Sequence, residues 1–383
     1  MNKAKIYIEG VSMTRFDRQP LILAPELAQK TILQAVKDAN LDLKDIEAVY
    51  CANVFGGMIL GQLIVRDLCL NGIPVYNIEN ACASGATAVH LARHALFSGQ
   101  YKTVLVVGIE QLTQLGGGTI PLQLNDHKTR LYSNSGMVLP SVYAARATRY
   151  LYERGEPPEL LGEVAVKNRF NGSLNPYAQQ SKTVTLEEVM SSRMIADPLT
   201  LLQCCPSQVD GAASLVLSTE HKNGRKPVSI LASIVQSGIL EKSNDDILDA
   251  EITARAANLA YKEAGLGPKD INVIELHDAF TIAELIYYEA LGIAAHGEGA
   301  SLLRSGATKI GGSIPVNPSG GLLAKGHPLG ATGVAQMVEL TWQLEGRAEK
   351  RQVNNPKIAL AQCTGGGIAG VDHAASSVHI LGV

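Results

Sequence analysis

Apolar and polar positions follow two rhythms along this chain. The stretch "MNKAKIYIEGVSMTRF" (1–16) alternates residue by residue, the pattern of a half-buried strand. "GIPVYNI" (72–78) is apolar and β-rich, whereas "GATAVHLARHALFSG" (85–99) carries helical spacing and closes on Gly99, a residue suited to ending a helix. The helical rhythm then repeats. "ILQAVKDANLDLKDIEAVYCANVFG" (32–56) and "ANLAYKEAGLGPKDINVIELHDAFT" (257–281) both read as an amphipathic helix, a turn containing Lys-Asp-Ile and a buried strand, at an offset of 225. "CASGATAVHLARHAL" (82–96) lines up with "HPLGATGVAQMVEL" (327–340) through a shared Gly-Ala-Thr, now at an offset of 245, which puts Cys82 opposite His327. Each copy closes with a strand, "TVLVVGIE" (103–110) and "KIALAQCTGGG" (357–367). The alternation predicts βαβ units, largely parallel sheets and helices on the faces.

The repeat divides the chain into halves, 1–220 and 221–383, with the polar "STEHKNGRKP" (218–227) between them. A region of about 112–200, including "LGGGTIPLQLNDHKTRLYSNSG", shows no steady alternation. It reads as an insertion that covers a site and shapes substrate choice. A length of 383 residues fits two domains, and 46% hydrophobic with 18% charged residues is a globular composition. A net charge of −3 gives no electrostatic case for nucleic acid or an anionic membrane. No apolar run is long enough to cross a bilayer, and no signal peptide is evident. Six cysteines without regular spacing form no disulfide framework and point to a reduced, cytoplasmic compartment. Adjacent Cys204 and Cys205 lack metal-ligand spacing and read as packing residues, so no metal is expected.

Four chemically capable residues fall just beyond strands or at helix starts, where sites form in open α/β sheets: Cys82, His277, His327 and Cys363. Cys82 lies near a helix N-terminus, which favours a thiolate. Each has a bland explanation alone: a cysteine as a small core hydrophobe, a histidine as a helix cap or a backbone partner. Four converging at strand ends of two repeated halves point to function. Gly365, Gly366 and Gly367 let backbone approach a ligand and aim N–H groups at an oxyanion. The glycine-rich 320–333 lacks the order of a phosphate loop.

"NACASGA" (80–86), "NPSGGLLAKGHPLGATG" (317–333) and "CTGGG" (363–367), in this order, resemble the motifs of the thiolases across nearly the whole chain. The resemblance implies a five-layered α-β-α-β-α fold of two similar halves with an inserted loop domain, a homodimer or tetramer, and coenzyme A and acyl-CoA as substrates, with no permanently bound cofactor. Where many thiolases have Asn-Glu-x-Phe, this chain has His277-Asp278-Ala279-Phe280, which resembles the sterol-carrier-protein-type branch and its archaeal and bacterial relatives. Some of that branch place a cysteine at the position of Ala279; here the second thiol is Cys363. The implied reaction is thiolysis of a 3-oxoacyl-CoA, usually releasing acetyl-CoA, or the reverse Claisen condensation. Cys82 is the nucleophile, activated by His327, and Cys363 is the acid and base. His277 with a water serves the enolate oxygen, and the amides of Cys82 and Gly365 serve the acyl-enzyme oxygen. Asn317, Ser319 and Gly320 of the signature are expected at the substrate. Members of this branch often accompany a small zinc-ribbon/OB-fold protein. Two alternatives differ in their needs: a ketoacyl-synthase-like condensing enzyme does not need a second cysteine, and a non-catalytic acyl-CoA-binding subunit needs no reactive Cys82.

Overall fold

The computed structural model describes residues 5–116, 130–131, 134–239, 246–366 and 374–383. Gly367 lies outside them, as does part of the inserted region. The first half runs β1 (Tyr7–Met13), α1 (Ala24–Asp38), β2 (Ala48–Ala52), α2 (Leu60–Arg66), β3 (Val75–Ile78), α3 (Ser84–Phe97) and β4 (Thr103–Gln111). After it come α4 (Leu139–Arg154), α5 (Glu159–Ser173), α6 (Leu186–Met190), the hairpin β5 (Met194–Ala196) and β6 (Leu199–Thr200), and β7 (Asp210–Ser218). The second half holds β8 (Ser229–Ser237), α7 (Glu251–Ala264), β9 (Val273–Glu275), α8 (Thr281–Ala290), α9 (Gly299–Arg304), α10 (Gly321–Lys325), α11 (Leu329–Glu345), β10 (Ile358–Gly365) and β11 (Ala375–Gly382).

Nine strands pair in the order β3-β2-β4-β7-β1-β8-β11-β10-β9. The halves meet at β1 and β8, where Tyr7 faces Ser229 and the Ile8 amide donates to the Val228 carbonyl at 2.9 Å. Side chains that alternate across each strand build the layers. Leu105 and Val107 of β4 pack with α1 and α2, while Val104 and Val106 face the opposite way into a core shared with α3 and α11. In the second half Ala359 and Ala361 of β10 face that same central core, and Leu360 points outward toward α7 and α8. The result is the five-layered α-β-α-β-α arrangement.

The expectation of largely parallel sheets is corrected. β2 runs parallel to β3 and β4, and β9 to β10, but β7, β1, β8 and β11 pair antiparallel with their neighbours. Parallel pairing needs a crossover helix, and only short links precede β8 and β11.

α11 is buried over nearly its whole circumference, as a helix enclosed between two layers of strands must be. It crosses α3 at the Gly-Ala-Thr that the repeats share. A Cβ on Gly85 would lie 2.7 Å from the Gly330 carbonyl oxygen, and one on Gly333 would lie 2.4 Å from the Ala86 amide nitrogen. The repeated glycines are therefore the contact point of two equivalent helices. α3 ends as its sequence reads, with Gly99 at φ +75° just past the last turn.

Candidate active site

Cys82 sits in the tight link between β3 and α3, two residues before the helix begins. Ala81 takes a left-handed φ of +49°, unusual for a residue with a Cβ, and so turns Cys82 off the end of the strand. Local polar groups hold that turn: the Ala81 amide donates to Glu79 Oε1 at 2.7 Å, and Ser84 Oγ donates to the Ala81 carbonyl at 2.5 Å. From the other half, the end of β10 presses against it. A Cβ on Gly365 would meet the Asn80 carbonyl oxygen at 2.4 Å and the Cys82 amide nitrogen at 3.0 Å, so only glycine fits.

His327 lies between α10 and α11. Its Nδ1 is 2.7 Å from Thr332 Oγ1, and that hydroxyl donates to the Pro328 carbonyl at 3.0 Å. A hydroxyl has one proton to give, so Nδ1 carries the ring proton and Nε2 carries the lone pair. Nε2 is buried with no hydrogen-bond partner among the described residues. His277 follows β9; its amide donates to Gln362 Oε1 at 3.0 Å, and its Nδ1 is 3.4 Å from Cys363 Sγ. Ligand atoms of Cys82, His277 and His327 all lie within 4.8 Å of one another, and the two imidazoles stand edge to face at 4.8 Å between ring centres. Cys363 Sγ reaches the Cys82 carbonyl at 3.2 Å. All four sequence-derived residues thus meet at one place.

Burial sets their charge. It pushes the Cys82 thiol up to about 12, despite a hydrogen bond from the Gly366 backbone that lowers it. Burial also pulls His327 down to about 3 and raises Cys363 well above an ordinary thiol. At Cys82 desolvation outweighs whatever the helix terminus contributes toward a thiolate. The backbone group aimed at the thiol is that of Gly366, while Gly365 provides the close approach.

Asn317, Ser319 and Gly320, expected at the substrate, are not among the residues that line the cavity. Asn317 Oδ1 accepts the Leu276 amide at 2.8 Å, and Ser319 Oγ donates to Glu275 Oε2 at 2.6 Å. Gly320, at φ +95°, lies so close to Gly172 that a Cβ would come within 2.7 Å of its Cα. These residues support the turn that carries His277. Asp278 shares that task, accepting from the Leu322 amide at 2.7 Å and from Asn168 Nδ2 at 2.8 Å.

A cavity of about 950 Å³ opens over Cys82, His277 and His327. Its apolar wall includes Leu139, Tyr143, Leu201 and Phe280, with the Tyr143 and Phe280 rings stacked at 4.5 Å. Cys204 and Cys205, read from sequence as packing residues, also face this cavity. The wall comes partly from α4 and α5, helices that the sequence pattern of the inserted region concealed. Their end signals were present: Pro140 in the first turn of α4 and Gly155, at φ +62°, after its last.

Residues 6–221 match the family model "Thiolase, N-terminal domain", and residues 236–382 match "Thiolase C-terminal domain-like". Over 372 residues the chain is 39% identical to the Benzoylsuccinyl-CoA thiolase subunit BbsB of Thauera aromatica, covering 95% of each chain. Over 370 residues it is 39% identical to an Acetyl-CoA acetyltransferase of Methanothermobacter thermautotrophicus, covering 94% of this chain and 96% of that one. Among solved structures, the "Ltp2-ChsH2(DUF35) aldolase" superposes with a TM-score of 0.85 at 24% identity, over 100% of this chain and 99% of the other.

Proposed function

Because the chain belongs to the thiolase family, we propose that Cys82 is the residue on which it holds the acyl group. The protein is an acyltransferase that cleaves a 3-oxoacyl-CoA with CoA or runs the reverse condensation. The observation that carries the residue assignment is the meeting of the Cys82 sulfur with two imidazoles within 4.8 Å at the floor of a cavity.

In the thiolytic direction His327 Nε2 takes the Cys82 proton as Sγ attacks the 3-oxo carbon. Thr332 keeps Nδ1 protonated, so the imidazole formed as a base becomes an imidazolium without turning. The C2–C3 bond breaks and its electron pair passes into the enolate of acetyl-CoA, whose oxygen is met by His277. Cys363, in contact with His277, delivers a proton to C2 and then, as a thiolate, takes the proton of incoming CoA. CoA sulfur attacks the acyl-Cys82 carbonyl, and the cysteine leaves as the thiol when His327 returns its proton. The amides of Cys82 and Gly366 serve the oxyanion of that step; a donor of this kind is worth about 3–4 kcal/mol of barrier.

Five further parts of the reading follow. The halves divide near 220, with about 112–200 inserted in the first. The outer edge of β3, which no other strand pairs among the described residues and where Tyr76 is 39% exposed, suits pairing with a second copy in a homodimer or tetramer. The Ltp2–ChsH2(DUF35) assembly supports a small partner protein of the zinc-ribbon/OB-fold kind, and the name of the Thauera relative supports an aromatic acyl chain. No helix among the described residues is long and apolar enough to cross a membrane, consistent with a cytoplasmic site of action.

Mass spectrometry of protein incubated with acyl-CoA tests the assignment. The acyl mass is expected on the Cys82 peptide and absent in Cys82→Ser. A label elsewhere, or thiolysis surviving that change, would sink it.

A further inference from the structure

Thiolase chemistry leaves one buried charge in the cavity without a task. Arg169, near the C-terminal end of α5, is 8% exposed and lines the same cavity as Cys82 and His327. Its Nε donates to the Lys182 carbonyl at 3.2 Å, and no carboxylate among the described residues stands within ion-pair distance of it. Glu188 acts on it only from farther away, and that carboxylate is occupied by the Thr185 amide at 2.7 Å. Several other buried cations sit against carboxylates: Lys167 with Glu284 at 2.5 Å, Arg351 with Glu339 at 2.9 Å, Lys325 with Glu275 at 3.5 Å. Leaving a desolvated guanidinium unpaired is costly unless something supplies the anion. Burial accordingly lowers the pKa of Arg169.

We propose that Arg169 binds an anionic group of the thioester inside the cavity, a carboxylate on the acyl chain or a phosphate of CoA. This rests on the cavity being the thiolase site. The planar fork of a guanidinium matches either group with two parallel hydrogen bonds. Exposure favours the carboxylate. Arg18 and Arg193 also line the cavity and are exposed, where hydrated phosphates are easily met, whereas Arg169 is the enclosed one. Asp17, the cavity's carboxylate besides these cations, is already taken up by Arg15 at 3.3 Å. The substrate class this points to is a 3-oxoacyl-CoA whose acyl chain itself bears a carboxylate.

The test compares thiolysis of 3-oxohexanoyl-CoA and 3-oxoadipyl-CoA, which share a chain length and differ in a terminal methyl or carboxylate. In Arg169→Met the preference for the carboxylated substrate, as a ratio of kcat/KM values, should fall about 10–100-fold, mainly through KM. If both CoA thioesters instead lose equally, while their N-acetylcysteamine analogues without phosphates do not, the anion bound is a phosphate. Unchanged kcat/KM for every substrate overturns the proposal. Should Arg169→Met fail to melt cooperatively, Arg169→Gln decides by the same criteria, since it keeps a donor for the Lys182 carbonyl and drops the charge. Wild-type protein that forms no acyl-Cys82 with either substrate would refute the thiolase site itself, a result separate from indifference to Arg169.

Discussion

At the residue scale, the site works by keeping each polar group's options narrow. Thr332 fixes the tautomer of His327 because its single hydroxyl proton is spent on Pro328. Cys363 is buried and faces His277, and burial raises its pKa well above an ordinary thiol, as the proposed proton donor requires. Cys363→Ala should still take an acyl group from a simple acyl-CoA and then stall. Its exchange of deuterium into acetyl-CoA should fall by two orders of magnitude or more, since general acid–base catalysis by one group contributes roughly 10²–10⁴-fold. A merely packed thiol would instead cost about 1–2 kcal/mol of stability and leave exchange near normal. Measuring exchange beside the melting temperature separates the two outcomes.

At the element scale, the start of α11 is the part that must not move, because it carries His327 and Thr332. Glu110, at the end of β4, holds it: the buried carboxylate accepts the amides of Val54 at 2.9 Å, Phe55 at 3.0 Å and Gly330 at 3.1 Å. Burial nevertheless raises Glu110 to about 7 from 4.5, against the lowering effect of those amides. A carboxyl whose folded pKa exceeds its unfolded one binds its proton more tightly in the native state. Its contribution is full below about pH 4.5 and is lost as pH rises through about 7. The stability of the wild type relative to Glu110→Gln should therefore decline across that window by up to about 3 kcal/mol. Thermal melts of both proteins at several pH values check this, and a difference independent of pH would refute it. The crossing of α3 and α11 is equally strict: no side chain larger than hydrogen fits at Gly333.

At the scale of the whole molecule, the proposed catalytic set comes together only because distant parts of the chain face each other across the layer of α3 and α11. Cys82 comes from the first half, and His277, His327 and Cys363 come from the second. The outer edge of β3 adjoins the Cys82 turn, so the edge proposed for assembly and the proposed nucleophile lie on one element. Tyr76→Lys on that edge should lower the mass seen by sedimentation from an oligomer toward a monomer, and an unchanged mass would remove β3 from the interface. Much of this was legible in the chain. Periodicity and the internal repeat pointed to the main strands and helices and to the four residues that meet at the cavity, because strand-end cysteines, histidines and glycines sit in local patterns that survive without context. Tertiary structure alone decided the rest. Antiparallel returns depend on which strands neighbour one another, and α4 and α5 are recognised by what they cover rather than by a strong repeat. Asn317 and Ser319 look like ligands in a motif, yet they turn inward to Leu276 and Glu275. The charge state of Cys82 was decided in the same way: the sequence places it by a helix terminus, but desolvation, which depends on everything packed around the sulfur, sets its proton affinity.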